Sequence, residues 1–488
     1  MRYVNPILYG DYSDPDAIRV GEDFYMVSSS FTYVPGLPVL HSRDLAHWEL
    51  IGYAARRLPF VRYDRPAHKC GVWAPSLRYH NGLFYVYVCM PDEGLFAFTA
   101  KDPAGEWQCH YVKDVTGWID PCPLFDDDGR VWLIHGFAAS RAGINNILYA
   151  HEMSADGLRV LDKGKLVYDG ADHQDVTVEG PKAYKRDGVY WILCPAGGVK
   201  DGYQLALRAN SVWGPYERRV VLEQGKTPIN GPHQGGWVDD GRGKDWFIHF
   251  QDIDAYGRIT HLQPVDWSGG WPMMGEEGFP VSGGQIDLPP FAAEIPTSDD
   301  FQNGLGIQWQ WQANPNKDWY TEGKPGLRLH AAPAESLFRA GNFLSQLMQS
   351  RDFDMDAPFS IHAQEGDMAG IGMMGYTYYN IALCQGRVRL SRGTVEEISR
   401  WEPERVTETP LAEALWPSEK IVFRLRVRRG KVSFFYGDSP DTLRPLCGEY
   451  PMACGGWTGA RPGLFALNTL GRWGGWADIA YVKITKAQ

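Results

Sequence analysis

The chain has 488 residues, 44% hydrophobic and 22% charged, an ordinary globular composition but too long for one core, so two domains are expected. A net charge of −11 with a pI near 5.7 argues against a nucleic-acid or anionic-membrane partner, and no apolar stretch reaches membrane length. The 19 Trp and 25 Tyr are the unusual supply: most should pack, but such rings also stack on sugar faces. The N-terminus, MRYVNPILYGDYSDPD, has no apolar leader region and enters a repeat almost at once, so a cytoplasmic chain is expected. Eight cysteines are scattered without a C-x-x-C pair, and several sit inside strand-like runs, which favours free buried thiols over disulfides or a zinc site.

Along residues 1–285 one phrase recurs five times, centred on Asp14-Pro15, Ala74-Pro75, Asp120-Pro121, Gly180-Pro181 and Gly231-Pro232. Each copy leads through a short apolar pair and a turn into an aromatic-rich run: FYMV (24–27), FYVYV (84–88), VWLI (131–134), VYWIL (189–193) and DWFIHF (245–250). Hairpin turns are marked by Asn81-Gly82, Asp128-Gly129 and Asp187-Gly188, and no long helical period is present. The prolines are 60, 46, 60 and 51 residues apart, room for about four strands per unit, which predicts a five-bladed β-propeller. DDDG (126–129) lacks the rest of a calcium loop and reads as a hairpin turn.

Residues 286–300, rich in proline and small polar residues, read as a linker. From 301 to 488 the phrase stops and alternating segments follow, among them GLRLHA (326–331), RVRLSR (387–392), IVFRLRVRRG (421–430) and ADIAYVKIT (477–485). These predict an all-β second domain, a β-sandwich of jelly-roll, concanavalin-like type. LAEALWPSEK (411–420) reads as a short helix or a loop.

If blades pack radially, equivalent positions converge, and Asp14, Asp120 and Glu179 should meet at one mouth. Converging carboxylates with no metal cluster and no nucleophile–His pattern suit glycosidic bond cleavage. That reaction needs one acid held protonated and one ionised carboxylate. Glu179, between Val178 and Gly180, is placed for a raised pKa by desolvation, and Asp120 can be the like charge that keeps it protonated. For each Asp-Pro taken alone, a turn initiator is the competing reading.

NPILYGDYSDPDAI, VWAPSL, WIDPCPLFDDDG and VEGPKAY, in that order, resemble glycoside hydrolase family 43, as does SSFTYVPGLPVLHSRDLAHWELIG (29–52). The resemblance implies a five-bladed propeller of inverting enzymes, largely β-xylosidases, α-L-arabinofuranosidases and arabinanases. It implies Asp14 as general base, Asp120 as pKa modulator and Glu179 as general acid. Phe31 and Trp73 match aromatics that wall the sugar subsite, although Phe31 alone reads equally as core. Arg258 matches an arginine that holds sugar hydroxyls and the neighbouring acid. His233 and Gln234, in the fifth copy, are candidate neutral pocket groups. His249 either helps hold a structural calcium at the propeller axis through water or is a satisfied core residue. DDFQNGLGIQWQWQANPN, GGWTGARPGLFALNT and ADIAYVKIT resemble the family's C-terminal sandwich, in which Trp457 either reaches over the active site or packs in the core.

The expectation is therefore an exo-acting inverting hydrolase that releases terminal xylose or arabinose from plant-derived oligosaccharides, with no cofactor required for the chemistry. A non-catalytic, lectin-like propeller is the alternative. The expected partner is a pentose-containing oligosaccharide, not nucleic acid or membrane, and the sandwich offers a surface for a homo-oligomer.

Overall fold

A computed structural model describes residues 1–324, 326–397 and 404–487. Five antiparallel four-stranded sheets follow one another in chain order, each with its strands in sequential order. Their innermost strands are Asp16–Val20, Trp73–His80, Trp118–Phe125, Lys182–Arg186 and His233–Asp239. These are the five blades of a propeller. The aromatic-rich runs form the second strand of each, buried on both faces between neighbouring blades, as in Leu83–Met90 and Asp245–Asp252.

The recurring X-Pro step opens every inner strand, and its first residue has positive φ in all five copies: Asp14 53°, Ala74 38°, Asp120 56°, Gly180 55° and Gly231 47°. For a residue with a Cβ this conformation is costly, and it persists only where the surroundings over-determine it. In blades two and three the pairing register also breaks at this point, between Trp73 and Ser76 and between Ile119 and Cys122, and in blade five it breaks just after it, between His233 and Gly235. Such bulges re-aim side chains. The turn chemistry and the convergence of the acids are thus one feature.

The N-terminal segment fastens the ring. Arg2–Val4 pairs with Gly283–Gln285, and the Asn5 amide donates to Leu262 O and Val281 O at 2.8 Å each. The segment read as a linker is packed down: Ile286, Leu288 and Ile295 are buried against blades one and five, and Phe291 N–H donates to Asp44.

The second domain is two facing antiparallel-rich sheets. One contains Asp367–Met374, Thr377–Cys384, Arg387–Glu396, Arg405–Leu415 and Arg461–Asn468; the other contains Gly326–His330, Phe353–His362, Lys420–Arg428, Lys431–Gly437 and Trp476–Ile479. Its core, including Met355, Ile371, Phe423, Leu425, Leu464 and Ile479, also takes in Ala255 and Tyr256 of the propeller. The two domains are joined further by the Val34–Trp311 bridge and by Asn314, whose side chain bonds the backbone N–H and C=O of Leu58.

One expectation is corrected. Residues 411–415 are neither helix nor loop but the end of the strand Arg405–Leu415, which forms the edge of its sheet. An edge strand with both faces partly wet carries a polar pattern that does not read as a strand. The eight cysteines are all free; Cys70, Cys89, Cys122, Cys194 and Cys384 are buried, and Cys109, Cys447 and Cys454 are exposed.

Candidate active site

Asp14, Asp120 and Glu179 come from blades one, three and four and meet within mutual electrostatic reach at the propeller mouth. Asp14 is buried and anchored on both oxygens. Oδ1 accepts from Arg258 Nη1 at 3.0 Å, and Oδ2 accepts from Ser29 Oγ at 2.6 Å. Ser29 Oγ in turn accepts the Ala74 N–H at 2.7 Å, which ties blade one to the bulge of blade two. Contacts of this kind fix the orientation of the carboxylate.

Asp120 is buried and accepts the Gly180 N–H on Oδ2 at 2.7 Å. Glu179, the neighbouring residue, is half-buried, and its carboxyl has no hydrogen-bond donor among the described residues. Burial first, then the charges of Asp120 and Asp14, push its pKa from 4.5 to about 8, against the opposing pull of Arg258. Burial and Asp14 also push Asp120 upward, to about 7, less far than Glu179 because the Gly180 N–H, Lys182 and Arg258 oppose the rise. Of two close acids, the one with a donor on its oxygen stays ionised and the one without keeps the proton. The proton belongs on Glu179.

Arg258 is held from two sides. Its guanidinium lies 5.0 Å from the Phe250 ring, and its backbone N–H donates to Asp11 Oδ1 at 2.8 Å. Asp11 Oδ2 accepts the Gly459 N–H of the sandwich at 2.8 Å. A Cβ at Gly257, where φ is +78°, would stand 2.4 Å from Asp11, so this close approach requires glycine. Next to it, the tight loop at 455–459 carries Trp457. Trp457 is 46% exposed, so it is not a core residue; its ring meets Trp73 edge-on at 6.4 Å. Trp73 contacts Phe31 at 6.0 Å and lies under the Arg141 guanidinium at 5.0 Å, and its indole N–H has no partner among the described residues. Phe31 is itself only 4% exposed, so its contribution is mainly to back Trp73.

His233 and Gln234 both reach this region. His233 is buried against Phe250, bonds Gly231 O through Nδ1 at 2.7 Å, and is pushed by burial to about 4, so it is neutral. The Gln234 amide carbon lies 3.2 Å from where a Cβ on Gly180 would stand, beside Glu179. His249 does not join the mouth. It lies in the second strand of blade five between Phe247 and His261, with Nδ1 at 3.0 Å from Phe250 O and Nε2 at 3.1 Å from the Gln263 amide nitrogen. Nδ1–H donates to the carbonyl and Nε2 accepts the amide, so neither nitrogen is left for a metal. Among the described residues, no group of three or more His, Cys, Asp or Glu is arranged to hold one. The inner strands carry protein cations instead: Arg78 Nη1 donates to Asp16 Oδ2 at 2.8 Å, and Lys182 Nζ donates to Pro75 O and Ser76 Oγ at 2.9 Å each. These residues do not fit an axial calcium.

Ser29, Asp11, Arg141 and Lys182 escaped sequence reasoning. Asp11 offered one signal, standing three residues before Asp14 in an acid-rich stretch. A cleft of about 670 Å³ lies between blades four and five beside Trp191, Arg208 and Trp267, and its lining includes none of the three acids. Its size marks no chemistry; the acids do.

A propeller whose mouth holds one protonated acid, one Arg-paired carboxylate and aromatic walls is the scaffold of a carbohydrate-cleaving hydrolase. The chain belongs to glycosyl hydrolases family 43, a family of inverting enzymes: that family's model matches residues 3–272, and "Beta xylosidase C-terminal Concanavalin A-like domain" matches residues 298–485. A relative from Xylanibacter ruminicola is 38% identical over 92% of this chain and 84% of its own. A beta-xylosidase of Formosa agariphila is 29% identical over 96% and 87%. A non-reducing end alpha-L-arabinofuranosidase of Bacteroides ovatus is 35% identical over 67% and 64%. Among solved structures, "Bacteroides ovatus Xyloglucan PUL GH43B" aligns with a TM-score of 0.84 at 26% identity over 100% of both chains. A xylan beta-1,4-xylosidase of Bacillus halodurans shares the fold with a TM-score of 0.87 at 23% identity, over 99% of this chain and 100% of its own.

Proposed function

We propose that this protein is an exo-acting, inverting glycosidase that removes a terminal xylose or arabinose from short plant-derived oligosaccharides. The observation that carries the reading is the asymmetry of the acids. Asp14 is fixed by Arg258 and Ser29, whereas Glu179 has no donor among the described residues and is pushed to about 8. Asp14 accepts a proton from water as that water attacks the anomeric carbon, and Glu179 donates its proton to the departing glycosidic oxygen. The anomeric carbon inverts because a single displacement occurs. Asp120 holds its charge beside Glu179 and so keeps the acid loaded.

The exo mode is supported by Trp457, which the sandwich places against Trp73 at one side of the mouth. A walled mouth admits a chain end more readily than the middle of a polymer. The pentose class is supported by the names of the beta-xylosidase and alpha-L-arabinofuranosidase relatives. Three acids in place weigh against a lectin. The test is hydrolysis of a panel of β-1,4-xylo- and α-arabino-oligosaccharides of two to six units. Release of single pentoses from the non-reducing end is expected. Binding without any release, or cleavage at internal bonds, would overturn the reading.

A further inference from the structure

The most unusual buried group near the acids is Lys182. It opens the inner strand of blade four and is 1% exposed, yet it forms no ion pair among the described residues. Its ammonium reaches past blade three to blade two, where it donates to Pro75 O and Ser76 Oγ at 2.9 Å each. A buried cation without a carboxylate in contact is costly, and a methionine would fill the same space without the cost. Two neutral acceptors orient the charge but do not neutralise it. Its field reaches Asp120, whose carboxylate is held to the same blade-four segment, two residues before Lys182, by the Gly180 N–H at 2.7 Å.

We propose that Lys182 is a positioning residue of the reaction: a fixed, buried counter-charge on the blade-four segment that also holds Asp120, which keeps Asp120 ionised and thereby assigns the shared proton to Glu179. The other charged or titratable groups that face Asp120 are Asp14 of blade one, Cys89 of blade two, Glu179 of blade four and Arg258 of blade five. Asp14 pushes Asp120 toward protonation, as burial does; Lys182 and Arg258 oppose it. Arg258 is committed to Asp14, with which it makes its 3.0 Å contact. Lys182 is left as the cation whose effect falls on Asp120. Without it the proton moves to Asp120, and Glu179 enters the reaction already ionised, unable to protonate the leaving oxygen.

This inference rests on the proposed glycosidase reading, and the experiment separates the two. The pH dependence of kcat/KM is measured on a disaccharide substrate for wild type, Glu179→Gln, Lys182→Met, Lys182→Gln, Lys182→Arg and Asp120→Asn, and for the double variant Asp120→Asn/Lys182→Met. If wild type releases no pentose from the disaccharide, the glycosidase reading itself fails; if Glu179→Gln hydrolyses it like wild type, Glu179 is not the acid and the present proposal is overturned. If Glu179→Gln is inactive, Lys182→Met is expected to lower the plateau of kcat/KM about tenfold, because the pair's last proton then rests mostly on Asp120, while the alkaline limb stays in place or moves to higher pH. Lys182→Gln, which keeps a donor for Pro75 O, guards against misfolding of Lys182→Met and is expected to lower the plateau likewise. Lys182→Arg is expected to leave the plateau unchanged. In the Asp120→Asn background the Lys182→Met change should lower it no further, which a merely structural tie between blades cannot produce. An undiminished plateau in a folded neutral variant, an alkaline limb moved to lower pH, or an equal loss in the Asp120→Asn background would each overturn the proposal.

Discussion

Replacing Asp120 with Asn removes one negative charge while leaving an oxygen that can still accept the Gly180 N–H, now 2.7 Å from Asp120 Oδ2. The carboxyl of Glu179 stands at about 8 instead of 4.5 because of burial first, the Asp120 charge second and the Asp14 charge third. Burial and Asp14 remain in the variant, so only the second contribution is lost. Groups that titrate as a pair interact by more than about 1 pK unit, which corresponds to about 1.4 kcal/mol. The sign follows from the role. Glu179 works protonated, so activity is present below its pKa and is lost as pH rises through it. The alkaline limb of kcat/KM should therefore fall from about 8 to about 7 or lower in Asp120→Asn. The assay needs a disaccharide of two pentoses, whose poor leaving group requires the proton; a nitrophenyl glycoside would mask the limb. A limb that stays in place, or moves to higher pH, refutes the electrostatic role of Asp120.

The same argument separates substrates for Glu179→Gln: turnover of a disaccharide should fall by about four orders of magnitude, the upper range of acid–base contributions. A dinitrophenyl pentoside should lose far less, and equal losses on both would count against Glu179 as proton donor. Ser29→Ala removes the 2.6 Å hydrogen bond to Asp14. Such bonds to charged groups contribute about 1.5–3 kcal/mol, so kcat/KM should drop roughly 10- to 150-fold while the melting temperature holds within a few degrees. A loss below threefold would remove Ser29 from the machinery. Trp457→Ala deletes a 46% exposed ring that touches Trp73, so the fold should be spared. Losing an aromatic contact of about 0.5–1.5 kcal/mol should raise KM by up to about tenfold with kcat little changed.

The architecture was legible because each blade begins with the same local conformation. A positive-φ residue before proline recurs at residues 14, 74, 120, 180 and 231, and that conformation leaves a visible trace in residue type. The three acids were legible for the same reason, being the copies, or the neighbour of a copy, that carry a carboxylate. Ser29 and Lys182 carry no such trace. Each acts through a partner on another blade, Ser29 on Ala74 and Lys182 on Pro75, and only closure of the ring brings them into reach. Trp457 could be read two ways because its exposure depends on how the sandwich docks, through Gly459 on Asp11 and Ala460 on Ala255. His249 interrupted an apolar strand, and its partner, the Gln263 amide, comes from the adjacent strand of its own blade rather than from the axis. The segment 286–300 carries the proline and polar content of a free linker, but Ile286, Leu288 and Ile295 bind it to the propeller.

The central claim is a division of labour in which Asp14 activates water and Glu179 protonates the leaving oxygen in one displacement. The most direct test follows the first product of a xylo- or arabino-oligosaccharide by proton NMR before mutarotation, with wild type and Asp14→Ala side by side. The account predicts a newly released pentose of inverted anomeric configuration from wild type, and loss of that product by orders of magnitude in Asp14→Ala. A first product of retained configuration, or an undiminished rate without Asp14, would contradict it.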